Sequence, residues 1–369
     1  MSKNYKVVFT AQKKVELLEC DMPEVKDNDI LLETEVSQIS TGTELTLLEA
    51  NVEADSPWMK NIKYPNEPGY SNVGKIIKVG KNVSSDLIGK RMLTLATHTK
   101  YYTIDKDDYQ QTMFIPDSVK SEEAVFGVIA QITMGSVRFS GLRPGDACVV
   151  YGAGLIGQLV ARLAKCAGST RVFVCDISDL RLDKLPDDPC FVKINTLKEN
   201  AAEVVKKNTK FNEGAAVVFE TTSNPKLVSD EIACLAKRGK LIITSSPKGK
   251  ALVDLEYCNR MGISILGAHN MAVHTQNEVH GNPWTRRRDS EYFIDVDNTE
   301  KPIISQNLQS AINFDWILRH LSKDGLLTPE KIKEIMDDDY NFTSVSRYER
   351  DLFNAYMDGD SETKSKLWD

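Results

Sequence analysis

The chain is predicted to be an α/β protein, a doubly wound parallel sheet joined to a β-rich domain. Three observations lead there. Short apolar runs punctuated by Gly, Pro, Asn and Asp fill the first hundred or so residues. Beyond about residue 120, strand-like and helix-like patterns alternate. Where that alternation begins, a glycine-rich turn lies between a buried strand and an amphipathic helix.

In the first region, residues 6–9, 15–18, 30–36, 75–79, 91–95 and 101–104 read as strands, and a small barrel or sandwich is the natural arrangement. Residues 121–139 have helical spacing, with Ala124, Val125, Val128, Ile129 and Ile132 on one side. Compact β-branched runs follow at 147–151, 171–175, 215–219, 240–244 and 263–266. Helical stretches at 155–167, 198–207 and 225–237 lie between them. Strands separated by helices imply βαβ units and a parallel sheet. Residues 275–305 read as polar and irregular. Helical periodicity returns from Ser310 through Ile312, Trp316, Ile317 and Leu321, and again over 345–357.

Composition narrows the function. A net charge of −7 argues against a nucleic-acid partner, because phosphate binding needs a basic face. The start, MSKNYKVVFTAQKK, has no apolar signal region, and no apolar run approaches a membrane span, so a cytoplasmic location is expected. The seven cysteines form no CxxC pair, which is neither a disulfide framework nor a zinc knuckle. Cys148, Cys166 and Cys175 sit in apolar runs and read as small core residues.

The glycine turn is Gly152-Ala153-Gly154-Leu155-Ile156-Gly157, a GxGxxG. Gly152 allows the tight turn, Gly154 the approach of backbone to a pyrophosphate, and Gly157 close packing of helix on strand. The amides around Leu155 and Ile156 open a helix, whose N-terminus attracts phosphate. Asp176 ends the next strand, 19 residues after Gly157. An acid there accepts hydrogen bonds from ribose hydroxyls and repels a 2′-phosphate, so NAD is favoured over NADP. Arg181 either holds such a phosphate, covers the adenine or faces solvent. This is a dinucleotide-binding Rossmann unit.

A Rossmann unit preceded by a β-rich domain resembles the medium-chain dehydrogenase/reductase superfamily, over nearly the whole chain. Ser40-Thr41-Gly42-Thr43-Glu44 is similar to that family's Cys-Gly-Thr-Asp segment. Pro68 to Gly74 (PGYSNVG) is similar to its Gly-His-Glu-x-x-Gly segment, and Val79 to Val83 with Ile88 to Met92 to its VGxxV…GDRV stretch. Gly267-Ala268 would close the nicotinamide pocket. The resemblance implies a discontinuous GroES-like catalytic domain (residues 1–120 and 271–369) around a cofactor domain (121–270). It also implies a homodimer or homotetramer through the sheet edges. Polyol, sugar and cyclitol dehydrogenases are the most similar subgroup. The STGTE form also resembles bacteriochlorophyllide hydroxyethyl dehydrogenases.

The departures concern zinc. Where zinc-bearing members have Cys, His and Glu ligands, this chain has Thr41, Tyr70 and Ser71, and the last ligand position falls near Gly127 or Val128. Hydroxyl and phenol are poor zinc ligands beside thiolate and imidazole. The four-Cys lobe is replaced by Ala96 to Lys100 running straight into the next strand. Both zincs are expected to be absent, and side chains must then handle the substrate proton. Thr43 matches the family's proton-relaying hydroxyl, or else bonds its own turn. Tyr70 replaces the metal-binding His and is an acid/base candidate, or a buried phenol with a satisfied hydroxyl. Glu44 is an orienting acid or a structural ion pair. His98 precedes a strand that borders the family's cleft and is suited to proton transfer near neutral pH, or is a hydrogen-bonded structural His. Thr221, Thr222 and Ser245 follow the fourth and fifth strands of the Rossmann unit, where the family contacts ribose and nicotinamide. Ordinary turn chemistry is their other reading. His269 contacts substrate or caps a turn, whereas His274 and His280 match no metal motif. Arg286, Arg287 and Arg288 beside Trp284 read as a solvated charge run, a subunit contact or an anion site. Trp58 and Trp284 are sugar-stacking, core or interface residues.

The leading expectation is a zinc-independent NAD-dependent dehydrogenase acting on a secondary alcohol of a carbohydrate-like small molecule. The alternatives are an NADPH-dependent quinone or enoyl reductase, a hydroxyethyl-tetrapyrrole dehydrogenase, and a non-catalytic NAD-binding protein.

Overall fold

The computed structural model describes residues 3–108, 113–274, 284–297 and 311–313. Its elements begin with strands β1 (Asn4–Ala11), β2 (Lys14–Cys20) and β3 (Asp29–Gln38), then helix α1 (Thr41–Glu49). Strands β4 (Asn72–Val79), β5 (Arg91–Thr94), β6 (Tyr101–Asp105) and β7 (Met113–Ile115) follow, with helices α2 (Ser121–Ala124) and α3 (Gly127–Ser140). Next come β8 (Ala147–Tyr151), α4 (Leu155–Cys166), β9 (Arg171–Asp176), α5 (Asp179–Leu182), β10 (Phe191–Asn195), α6 (Ala201–Lys207) and β11 (Ala215–Glu220). The remainder is α7 (Val228–Ala233), β12 (Leu235–Ile243), α8 (Leu255–Met261), β13 (Ser264–Gly267), α9 (Asn270–Val273), α10 (Arg286–Asp297) and β14 (Ala311–Asn313). The chain divides into two compact units. One is built on residues up to Val128, the other on Ile129–Asp297.

The first unit is antiparallel. Its larger sheet runs β14-β3-β4-β5-β7, with β6 on β3, and β1 and β2 form a separate hairpin. Ile30, Leu32, Ile76, Met92 and Tyr102 make its core. Gly74 is glycine for a packing reason: a Cβ there would sit 2.7 Å from the Tyr102 hydroxyl and 3.0 Å from the Leu32 Cβ.

The second unit is a six-stranded parallel sheet in the order β10-β9-β8-β11-β12-β13. The runs CVVY, VFVCD and VVFE of β8, β9 and β11 are almost wholly buried, as expected of strands covered on both faces. Val149, Phe173, Ile194, Val218, Leu235 and Leu241 anchor the core. Chain direction across the sheet reverses between β8 and β11, where doubly wound sheets bind ligands at the strands' carboxyl ends. The doubly wound sheet and β-rich unit therefore agree with expectation.

Several local expectations needed correction. The helix expected over 225–237 stops at Ala233, and β12 takes up the chain at Leu235. Part of the segment expected to be irregular is α10, which buries Asp289, Phe293 and Ile294. Residues 311–313 were expected to be helical, yet they form β14, paired antiparallel with β3. Strand β10 and helices α1 and α8 were not anticipated. Cys148 and Cys175 are buried, but Cys166, expected to be a core residue, is exposed at the end of α4. His280, Trp316, Ile317, Leu321 and residues 345–357 lie outside the described residues. Among the described residues, no helix is long and apolar enough to cross a membrane.

Candidate active site and cofactor cradle

In the second unit the glycine turn has the predicted geometry. Gly152 has φ +96°, and its N–H donates to the Cys175 carbonyl at 2.7 Å. A Cβ on Gly157 would lie 1.7 Å from the Gly152 carbonyl oxygen, so only glycine lets α4 start this close to β8. A Cβ on Gly154 would meet nothing within 4 Å. Leu155 and Ile156 form the first turn of α4, and Gly154 caps it without a competing side-chain acceptor. Open space above a helix N-terminus suits a pyrophosphate.

Asp176 is buried and well held. One carboxylate oxygen accepts from the Ala153 N–H at 2.7 Å, the other from the Ser178 N–H at 2.9 Å. Arg181 Nη1 stands 3.8 Å from the same carboxylate. Thr221 donates to the Tyr151 carbonyl at 2.5 Å and contacts that of Gly152 at 3.0 Å, tying β11 to the glycine turn. Thr222 gives both its N–H (2.6 Å) and its hydroxyl (2.8 Å) to Glu220 Oε1, and the Ser245 hydroxyl donates to Oε2. In this structure these three hydroxyls therefore brace the carboxyl ends of β8 and β11. Glu220, which organises the Thr222 and Ser245 hydroxyls, was not singled out from the sequence. A strand-final acid followed by Thr-Thr-Ser is the signal that could have revealed it.

Glu231 on α7 is fully buried, and neither of its oxygens has a hydrogen-bond partner. Burial, with Glu220 adding like charge, pushes its carboxyl up to about 9. His274 and the arginine run also resolve into structure. His274 bonds the Asn270 carbonyl (2.9 Å) and buried Asp289 (2.8 Å), which Arg138 also engages at 2.9 Å. The Arg138 guanidinium lies 3.2 Å from the Trp284 ring centroid. Arg287 pairs with Glu291, and Arg288 lies 5.0 Å from the Trp284 centroid. His269 immediately precedes α9, and its carbonyl accepts the Ala272 N–H.

The first unit gathers the candidate proton-transfer residues. Ser40 caps α1, and its N–H donates to Glu44 Oε1 at 2.8 Å. Glu44 Oε2 is 3.1 Å from His98 Nε2, and His98 Nδ1 is 2.9 Å from Ser37 Oγ. His98 and Glu44 are only 4% and 5% exposed, so they support the site from behind. The Tyr70 hydroxyl donates to Ser40 Oγ at 2.5 Å, and Thr43 also hydrogen-bonds the phenol. Burial raises the Tyr70 phenol above its ordinary value, although these two hydroxyls partly offset that.

The sequence dictates this convergence. Gly69 has φ +100°, and a Cβ there would come 2.8 Å from the His98 backbone nitrogen, so the 68–70 turn can lie on the 97–99 loop. Buried Asn72 locks the two segments together by donating to the Thr97 carbonyl and bonding Thr34 and Tyr102. Thr43, Glu44 and Tyr70 line a cavity of about 500 Å³. Ser37 and Ser40 received no role from the sequence.

Comparison with known proteins agrees with this architecture. Residues 156–281 match the family model for zinc-binding dehydrogenase. L-threonine 3-dehydrogenase from Caldanaerobacter subterraneus subsp. tengcongensis is 23% identical over 268 residues, covering 65% of this chain and 75% of that protein. A Sinorhizobium meliloti 1021 protein described as a zinc-binding dehydrogenase, solved bound to NADP, superposes with TM-score 0.66 at 17% identity, covering 82% of this chain and 91% of the other. The 2R,3R-butanediol dehydrogenase of Bacillus subtilis gives TM-score 0.63 at 18% identity, covering 80% and 90%. These likenesses support the resemblance to the medium-chain dehydrogenase/reductase superfamily. The matched family segment begins at Ile156 and includes none of Thr41, Tyr70 or Ser71.

The donors at those positions do not fit a zinc ion. The Ser71 hydroxyl is committed to the Val125 carbonyl at 2.5 Å, Tyr70 to Ser40, and both His98 nitrogens to Glu44 and Ser37. Among the described residues, no three His, Cys, Asp or Glu side chains form a metal-binding group. The Gly152–Gly157 cradle and Asp176 do fit a nicotinamide dinucleotide.

Proposed function

We propose that this protein is an NAD-dependent, zinc-independent oxidoreductase that interconverts a secondary alcohol and a ketone on a polyol, sugar or cyclitol. The observation that carries the reading is Tyr70, hydrogen-bonded to Ser40 and lining a cavity together with Thr43, in a chain that resembles a superfamily of dehydrogenases. When bound, the nicotinamide supplies or accepts the hydride. Every other task falls to side chains. A phenol pushed upward by burial stays protonated at neutral pH; its single proton, held by Ser40 Oγ, would turn to an oxygen that gains negative charge as a ketone is reduced, and the Ser40 hydroxyl would then donate to the phenolate left behind. Oxidation asks the same phenol to shed its own proton to accept the substrate's, so that direction gains from rising pH. Glu44 fixes Ser40 through its N–H and holds His98 against Ser37, which keeps the phenol's acceptor in place. Asp176 is expected to take the adenosine ribose hydroxyls. Its buried carboxylate would repel a 2′-phosphate, which supports NAD over NADP.

The test is NAD reduction by metal-analysed, chelator-treated protein across a panel of polyols, sugars and cyclitols, repeated with NADP. Turnover at negligible zinc with NAD supports the reading. Stoichiometric zinc required for activity would overturn the metal-free part. A higher kcat/KM with NADP would reassign Arg181 to the 2′-phosphate. NAD binding with no turnover would favour a binding protein.

A further inference from the structure

We propose that the substrate of this site carries an anionic group, a phosphate monoester or a carboxylate, held by Lys60 and Lys63. The inference rests on the proposed dehydrogenase reading for its alcohol end and on independent residues for its anionic end. The cavity lined by Tyr70 and Thr43 is also lined by Lys60, Lys63, Asn61 and Glu67. Its acids are already engaged. Glu67 pairs with Lys6 at 2.5 Å, and Glu44 is held by His98 and the Ser40 N–H. Lys60 and Lys63 have no acidic partner within ion-pair distance among the described residues. Two exposed lysines with no acidic partner therefore line the same cavity as the proposed proton donor, in a protein whose net charge is −7. A chain that repels anions overall needs such a local excess of positive charge to admit one.

The lysines sit on a braced segment. Lys60 closes the single 3-10 turn Pro57–Lys60, which the Ser56 hydroxyl caps by accepting the Trp58 N–H. The next stretch is pinned to α1 by the Tyr64 hydroxyl, which donates to the Leu47 carbonyl at 2.7 Å. It is pinned to β1 by reciprocal backbone bonds between Asn66 and Phe9. Asn61 adds an amide donor suited to phosphate or carboxylate oxygens. A volume of about 500 Å³ is ample for a six-carbon polyol carrying such a group.

Calorimetric titration of the NAD-loaded full-length protein with sorbitol, gluconate and sorbitol 6-phosphate tests the inference. Charge-assisted contacts contribute roughly a tenfold gain each. At least one anionic probe should therefore bind ten- to a hundredfold more tightly than sorbitol, and added salt should erode the gain. Preference for the phosphate ester identifies a phosphorylated substrate; preference for gluconate identifies a sugar acid. The Lys60→Gln/Lys63→Gln double variant should lose the preference, whereas Lys81→Gln, on a lysine paired with Asp27, should keep it. NAD affinity and circular dichroism certify that each variant is folded. Equal binding of the three probes, binding of none by protein that still binds NAD, or a preference that survives in the double variant overturns the inference. Anion preference without turnover of any probe would instead sink the dehydrogenase reading and leave the anion site standing.

Discussion

Tyr70 is where the proposed chemistry can be struck most cleanly. Its hydroxyl meets Ser40 and the residue lines the cavity, at the position where the resemblance places a metal-binding His. Tyr70→Phe removes the oxygen and preserves the packing. We expect kcat to fall by about 10²- to 10³-fold in steady-state assays, with NAD affinity unchanged. The pH profile gives a second readout. Because burial raises the phenol, wild-type ketone reduction should hold through neutral pH and decline only in strongly alkaline solution, whereas alcohol oxidation should climb over the same range. The Phe variant should lose that climb; if it persists, another group is the acid. Glu231 allows a separate prediction about stability. Its folded-state value of about 9 lies above the ordinary 4.5, so the folded state holds the extra proton. Stability is then greatest below pH 4.5 and is lost as pH rises toward 9. At about 1.4 kcal/mol per pH unit, the group costs roughly 3 kcal/mol at pH 7. Glu231→Leu should raise Tm by roughly 8–16 °C at pH 7.5 and flatten its pH dependence. A lower Tm across the whole range would show that the carboxyl has a favourable partner.

Elements of the second unit are joined by a few contacts that single substitutions can cut. Asp289 receives Arg138 from α3 and His274 from just after α9, while Gln131 reaches Ser290 at 2.9 Å, so α10 is stapled to the unit by polar bonds around one buried carboxylate. Asp289→Asn removes the buried carboxylate that half-buried Arg138 and His274 share, and a loss of about 1.5–3 kcal/mol in denaturant unfolding is expected. The same elements show what was legible beforehand. Strands β8, β9 and β11 and helix α4 were readable to within a residue at each end, because β-branched runs and a clear apolar stripe announce burial. Helix α1 was not, since the face it buries is Glu44, Thr46 and Glu49, and apolar periodicity cannot detect a polar buried face. Strand β10 hides behind Lys193 in FVKIN, and β12 begins inside LAKRG, a sequence with helical propensity that sheet pairing overrides. The candidate site was legible residue by residue, at Thr43, Glu44, Tyr70 and His98, through the order of its motifs. Its wiring through Ser37 and Ser40, and the cations at Lys60 and Lys63, depend on contacts between segments far apart in the chain.

At the scale of the molecule, the chain holds two compact units with separate cores, Ile30, Leu32 and Ile76 in one and Phe173, Val218 and Leu241 in the other. The glycine cradle, Asp176 and the Glu220 hydroxyl network all belong to the second unit, whereas Tyr70, Ser40, Glu44, His98 and the two lysines belong to the first. A ligand stabilises the part that binds it, by about 2.7 kcal/mol at a hundred times its Kd. Calorimetry of the full chain should therefore resolve two unfolding transitions, since separate cores depart from two-state behaviour. Saturating NAD should move the transition of the cradle-bearing unit upward by several degrees and the other by much less. Gly157→Ala supplies the assignment. A methyl group 1.7 Å from the Gly152 carbonyl must push α4 off β8, so the variant should lower the NAD-sensitive transition and weaken NAD binding by at least a hundredfold. The Asp289→Asn variant should lower that same transition, because Arg138 and His274 lie in the same unit. One cooperative transition that NAD and both variants shift as a whole would mean that the two cores unfold together, and the partition of cofactor and proton-transfer residues would then have no thermodynamic counterpart.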